Sequence, residues 1–172
     1  MIYSKYQVSN HVYSINSTKL ENKETLSDLE VIFRYDLNFD MHIDSVISRA
    51  FKRVYFILRK CKEFTNPQSM VALFNSIVKP ILNYASVIWC PHTKTNIKKI
   101  ESVQHYFMRC ISFKTTSPMR FDQHDYTLIF NLLNMPSLMS IRQYNDLIYM
   151  FKVFNYFIDC TDLLRKVSTI ST

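Results

Sequence analysis

Glycine does not occur anywhere in these 172 residues, against a usual share of roughly 7%. A glycine loop that cradles phosphate and a glycine-flanked nucleophile elbow are therefore both excluded. Left-handed backbone positions must fall to Asn or be avoided. Cysteine is sparse: Cys61, Cys90, Cys110 and Cys160 form no Cys-x-x-Cys pair, which predicts free thiols in a reducing compartment. Long apolar runs are missing too. The cluster YFIL at 55–58 is flanked by charge and falls far short of the ~18 residues that span a bilayer. Residues 1–10 mix Tyr, Ser, Lys and Gln without an apolar centre, so no secretory signal is read there. The expectation is a soluble intracellular chain, nuclear or cytoplasmic, with no membrane role.

An apolar share of 48%, with 15% aromatic residues, excludes a disordered chain and suffices for one domain with a core. The net charge of +7 and the pI near 9.2 favour an acidic partner, with nucleic acid the usual candidate.

The N-terminal 38 residues read as extended. Residues 11–15 (HVYSI) alternate with period two, and residues 26–33 (LSDLEVIF) give the next strand. A helical period then takes over across 40–62. Ile43, Val46, Ile47, Ala50, Val54, Ile57, Leu58 and Cys61 share one face. Asn66-Pro67 marks a helix start, and an apolar run continues through Trp89, kinked or divided by Pro80 and ended by Pro91. Residues 96–112 form the next helix, with Ile97, Ile100, Phe107, Met108 and Ile111 inward and Lys98, Ser102, His105 and Arg109 outward. Residues 114–123 read as a linker. Two helical patterns follow at 125–134 and 137–157; the second is capped by Ser137 and buries Leu138, Ile141, Leu147, Ile148, Phe151 and Phe154. A turn or two follows at 160–167. The fold predicted is mainly α: about five helices with a small N-terminal antiparallel β-hairpin or three-stranded sheet. It divides as strands 1–38, helices 39–113 and C-terminal helices 124–167. Tyr84, Trp89, Pro91 and Phe107 are expected in its core.

Chemistry is hard to find. Paired-metal phosphoryl transfer needs clustered carboxylates, and no Asp-Asp occurs. Asp36, Asp40 and Asp44 recur every four residues, but Asp40 and Asp44 suit a helix cap and first turn. Cys90, His92, His105 and Cys110 lack zinc-site spacing, and the histidines His11, His42, His92, His105 and His124 are scattered. No catalytic residue, metal site or cofactor is nominated. What remains is a basic helix face. Arg49, Lys52, Arg53, Arg59 and Lys60 face away from the core of 40–62, with Phe56 among them and Tyr55 at the border. Cations for phosphates and rings for a base or sugar would suit nucleic acid; an ordinary solvated face would carry the same pattern.

The run 73–91 (LFNSIVKPILNYASVIWCP) and the helix at 97–109, with Ile97, Ile100, Glu101, Val103, Gln104, Phe107 and Arg109, resemble the region after the polymerase palm in non-LTR retrotransposon reverse transcriptases of the jockey-like kind. Residues 28–33 (DLEVIF) resemble that family's D-L-G-V-x-F strand. Leu37, Phe39, His42 and Ile43 resemble the start of the helix after it, and Tyr126, Leu133, Pro136, Ser137, Leu138, Arg142, Asp146 and Leu147 its looser tail. The similarity covers residues 12–156. It implies a non-catalytic fragment, the thumb and connector. The palm with its Tyr-x-Asp-Asp loop, and the Mg²⁺ that loop binds, belong to the complete polymerase and would lie before Met1. Tyr144-Asn145-Asp146-Leu147 is read as a chance likeness to that loop. Glu30 stands where the family has Gly, and Arg34 where it often has Asp, which suits a decayed copy. On this reading Arg49, Lys52, Arg53, Arg59, Lys60, Lys98 and Arg109 contact the backbone of an RNA/DNA duplex, independently of sequence. The alternative expectation is a helical protein-interaction module or structural remnant. Its exposed apolar face would meet a missing palm and fingers or another protein.

Overall fold

The computed structural model describes residues 14–16, 18–19, 21, 23–64, 66–114 and 133–170. It is mainly α, with the small antiparallel β element at the N-terminal side. Of the predicted strand at 11–15, residues 11–13 lie outside the described part; Ser14–Ile15 (β1) pairs antiparallel with Thr18–Lys19 (β2). The linker at 114–123 lies outside it from 115 onward, and the helix at 125–134 up to 132; Leu133 and Asn134 form a turn.

The expected single strand over 26–33 is instead a second hairpin. Thr25–Asp28 (β3) pairs with Val31–Arg34 (β4), Asp28 opposite Val31. Leu29 and Glu30 form the two-residue turn, with φ of 45° and 64°. A turn of that hand matches strand twist, but nothing in Asp-Leu-Glu-Val signals it, because Asn and Gly are its usual cues. The hairpin rests on the helices through β4: Val31 is buried, and Phe33 meets Phe39 edge-on at 5.8 Å.

The long helix α1 (Asp40–Lys60) buries Ile43, Val46, Ala50, Val54 and Ile57, and Cys61 follows in its cap. Ile47 and Leu58 pack partly buried at the margin of this face. Next, the Asn66 side chain accepts from the Gln68 N–H at 2.9 Å, and Pro67 opens α2 (Pro67–Leu73). Pro80 cannot donate to the carbonyl four residues back, and its ring would collide with it. The helix responds by widening into a π-type turn (Phe74–Val78), where the Lys79 N–H reaches the Phe74 carbonyl, and continues as α3 (Lys79–Asn83). Pro80 thus disturbs the helix as expected, and the helix then breaks before the Pro91 expected to end it. Tyr84 leaves the helix, Ala85 adopts φ 52°, and one short turn, α4 (Ser86–Trp89), follows.

Trp89 is fully buried at the centre of these segments. Its Nε1–H donates to the Tyr84 carbonyl at 2.8 Å, closing the loop that Ala85 opens. The His42 ring lies edge-to-face with it at 5.1 Å. The Arg142 guanidinium lies 5.3 Å from the ring centroid, and Arg142 donates to the Leu82 carbonyl at 2.8 Å. Pro91 is buried as expected, and so is Phe107, which stacks on Phe74 at 4.4 Å in the core between α5 (Lys94–Lys114) and the π-type turn.

Two expectations about burial are corrected. Tyr84 is not in the core: the turn at Ala85 recruits its carbonyl, and the residue is 51% exposed. In α6 (Leu138–Phe154), the Ser137 cap accepts from the Ser140 N–H as predicted. The buried stripe, however, is Leu138, Arg142 and Val153, while Leu147, Phe151 and Phe154 are 69%, 60% and 50% exposed. A helix apolar on two opposite sides does not reveal from its period which side docks. A last helix, α7 (Thr161–Ile170), runs longer than the turn or two expected.

Trp89→Ala should cost about 3–5 kcal/mol, whereas Tyr84→Ala should cost about 1 kcal/mol or less. Urea midpoints decide it; equal losses would put Tyr84 back in the core. A Leu29→Asn, Glu30→Gly double variant should gain about 1 kcal/mol, because left-handed backbone costs other residues about 1–2 kcal/mol each and the exposed Glu30 ion pair returns little. A lowered midpoint for this variant would refute the turn.

Candidate nucleic-acid interface

Helices α1 and α5 lie side by side and parallel, as their cross-contacts show. Near both N-termini, the Asn96 side-chain amide donates to Asp40 at 2.6 Å, and Lys99 pairs with Asp44 at 2.7 Å. Asp40 and Asp44 therefore do more than complement the α1 dipole: they join it to α5. Hydrogen bonds from Asn96 and then Asn38 hold the Asp40 carboxyl below its ordinary pKa. Further along, Phe51 meets Tyr106 edge-on at 5.8 Å, and Tyr55 meets the same ring at 5.5 Å. Phe51 and Tyr55, one turn apart, stack at 6.0 Å. These three rings fill the seam between the helices, with Tyr55 exposed.

The seven predicted cations fall into separate groups around that seam. Lys52 lies one turn before Tyr55, Arg59 one turn beyond it, and Arg109 one turn beyond Tyr106; all three are exposed. Arg53 and Lys60 are also exposed but lie on the flank of α1 turned from α5. Lys98 sits two turns before Tyr106, at the acidic end of the pair. Arg49 is half-buried and its Nη1 bonds Glu30 at 3.0 Å, tying α1 to the hairpin turn. Phe56 is exposed among the cations, as read.

Sequence reasoning missed Tyr106, although Phe51 and Tyr55 at i, i+4 could have suggested an aromatic seam. Nor did it show the burial of five polar residues, His42, Ser86, Asn96, Gln104 and Arg142. Gln104 donates to the Pro136 carbonyl at 3.1 Å, and Glu101 accepts from the Met139 N–H at 2.8 Å. The pair docks the start of α6 on α5, with the Glu101 carboxylate at a helix N-terminus where a negative charge is favoured.

Burial shifts three titratable groups of the bundle. Burial raises the Tyr106 phenol, with Cys110 and Tyr55 adding to it, and burial lowers His105. Burial and then Asp146 raise the Cys90 thiol, keeping it protonated. None of the cysteines is disulfide-bonded. Among the described residues no three His, Cys, Asp or Glu side chains gather in a way that could hold a metal ion, and no helix is long and apolar enough to cross a membrane.

No family model and no solved structure matches the chain. An uncharacterised protein of Caenorhabditis elegans is 34% identical over 84 residues, a match covering 49% of this chain and 42% of the relative. The chain thus spans about two fifths of that relative's length.

Stability should fall with mild acid. His42 Nδ1 accepts the Ile32 N–H at 3.3 Å, so the ring is neutral with its proton on Nε2. Burial first, then Arg49, lower its pKa from 6.5; burial lowers His105 likewise. Below pH 6.5 the unfolded chain takes up protons that the folded one refuses. Their contribution is full above that pH and is lost as pH falls through the depressed values, at about 1.4 kcal/mol per unit of depression. Asp40 is lowered from 3.8 and acts only at lower pH. Urea midpoints should therefore drop between pH 7 and 5, and His42→Gln should flatten that drop. An unchanged slope in the variant would exclude His42 as a source.

Proposed function

We propose that the chain is a non-catalytic fragment of a non-LTR retrotransposon reverse transcriptase, its thumb and connector. On this reading it grips the backbone of an RNA/DNA duplex without reading sequence. The observation that carries the binding reading is the parallel α1–α5 pair, which sets Lys52, Arg59 and Arg109 around the aromatic seam of Phe51, Tyr55 and Tyr106. Exposed cations neutralise phosphates, and a ring beside them packs on a sugar or base.

The family reading draws support from what its motif residues do. Trp89, Glu101, Gln104 and Arg142 all make the contacts that close the bundle. Glu30 has φ 64° at the position where the family's strand has Gly, the residue that takes that conformation without cost. No catalytic carboxylates are assigned here, and Mg²⁺ would act only in a complete polymerase. A nuclear or cytoplasmic location follows from the same reading.

A second reading, a protein-interaction module, rests on α6. Tyr144, Leu147, Phe151 and Phe154 form an exposed apolar stripe of the sort that marks interaction surfaces.

Gel shifts of a short RNA/DNA duplex over a salt series separate the two. Binding should weaken with salt at a log–log slope of about −0.9 per phosphate contact. Lys52→Glu with Arg59→Glu should make that slope shallower by about 2 on every sequence tested, and Arg53→Glu with Lys60→Glu should change it less. Salt-independent binding, or equal effects of the two pairs, sinks the seam as the interface. No shift at low salt, together with self-association lost in Leu147→Lys plus Phe151→Lys, favours the second reading.

A further inference from the structure

Helix α6 docks on α4 and α5, with Leu138, Arg142 and Val153 buried. Its opposite side carries Tyr144, Leu147, Phe151 and Phe154, which are 64%, 69%, 60% and 50% exposed. Just past the helix end, Tyr156 and Phe157 are 80% and 73% exposed. Large apolar groups gathered in this way on a surface mark a contact with another molecule. The intervals of three, four and three residues from Tyr144 to Phe154 are those of coiled-coil a and d positions. Such a narrow seam closes on one partner helix.

Symmetry, charge and area together select a second copy of this chain as that partner. The intervals read the same in both directions about residue 149, so a second α6 laid antiparallel falls into register with the first. Each contact then occurs twice around a two-fold axis, as an isologous interface requires. Charge points the same way. Two chains that each carry +7 repel one another unless their cations stay clear of the contact. Gln143, Ile148, Met150 and Asn155, which flank the stripe, are all uncharged, and Asp146 and Lys152 lie farther round the helix. The area also suffices. At roughly 200 Å² for a whole aromatic residue, the six exposed residues offer about 750 Å². Two copies would bury about 1,500 Å², inside the roughly 1,200–2,000 Å² of stable interfaces.

We propose that the chain forms a two-fold dimer by antiparallel pairing of α6 with α6 of a second copy. Leu147 packs on Phe151 of the partner subunit near the axis, and Tyr144 on Phe154 of the partner subunit at either end. The inference rests on the interaction reading of α6 and names its partner; the basic seam of α1 and α5 takes no part in it.

Sedimentation velocity of the full chain over a concentration series tests the pairing. The chain should dimerise with micromolar or better affinity. Leu147→Glu and Phe151→Lys should each weaken dimerisation at least about a hundredfold, because each would bury two unpaired charges per dimer. Both positions are exposed in the single copy, so circular dichroism should stay that of the folded chain. Mixed in equal amounts, the two variants should recover dimerisation. In the antiparallel register the introduced carboxylate faces the introduced ammonium, and the other Leu147–Phe151 contact stays native. In a parallel register each new charge would face an apolar residue, and mixing would recover nothing. A chain that stays monomeric at millimolar concentration, variants that still dimerise, or a mixture that stays monomeric would each overturn the proposal. Binding of the dye ANS, which reports exposed apolar surface, separates that failure from failure of the interaction reading. A monomer that binds ANS only while Leu147 and Phe151 are intact keeps a surface open to a different protein, which overturns the second copy alone. A monomer that binds none overturns both.

Discussion

The bundle depends on the surroundings of Trp89. Three contacts meet at this one side chain: its own N–H on the Tyr84 carbonyl, the His42 ring edge-to-face with it and the Arg142 guanidinium near its ring; Arg142 in turn bonds the Leu82 carbonyl. They join α1, the end of α3, α4 and α6, elements far apart in sequence. The Leu82 and Tyr84 carbonyls lie where α3 ends, and carbonyls at a helix end lack internal partners. A buried indole N–H and a buried guanidinium supply them. Burial disfavours the Arg142 charge, yet guanidinium does not deprotonate in proteins; the carbonyl and the aromatic ring are what make its burial tolerable. Loss of any member would leave a buried polar group unsatisfied, which costs more than the bond itself contributes.

The lack of glycine shapes the same region. Among the described residues, Asn16, Leu29, Glu30, Leu37, Ala85, Asn134 and Tyr156 all have positive φ. Asn takes the role expected of it at two positions, and at the others residues with a Cβ penalty carry it. Such strain survives only where neighbours over-determine the conformation. Ala85 is held by the Trp89–Tyr84 bond, and Glu30 by the β3–β4 pairing on either side of it. The strain and the clamps are two sides of one arrangement.

What could be read from the sequence was whatever short-range rules decide. The apolar face of α1, the Asn66 and Ser137 caps and the disturbance at Pro80 follow from spacing and local chemistry. What could not be read depends on partners distant in the chain. The turn at Leu29-Glu30 carries no turn residue. His42, Gln104 and Arg142 look like surface residues until the backbone groups of Ile32, Pro136 and Leu82 are brought to them. Tyr84 continues an apolar run but loses its place in the core to a backbone reversal one residue later. For the candidate interface, the cations were legible as a stripe; their sorting around Tyr55 and Tyr106 required the direction of α5 relative to α1.

That parallel direction bears on how the basic groups are interpreted. Two parallel helices place like dipole ends together, an arrangement that charge at each end can offset. The acidic residues Asp40 and Asp44 stand at the shared N-terminal end and Arg59 and Lys60 in the last turn of α1, as dipole compensation alone would require. Dipole effects fade within about one turn of a terminus, and Lys52 lies two turns inside α1. They also give no reason for Tyr55 to remain exposed over a packed ring. Among the α1 cations beside the seam, Lys52 with the Tyr55–Tyr106 contact is therefore what helix electrostatics leaves unexplained, and it is there that a nucleic-acid function has to be sought.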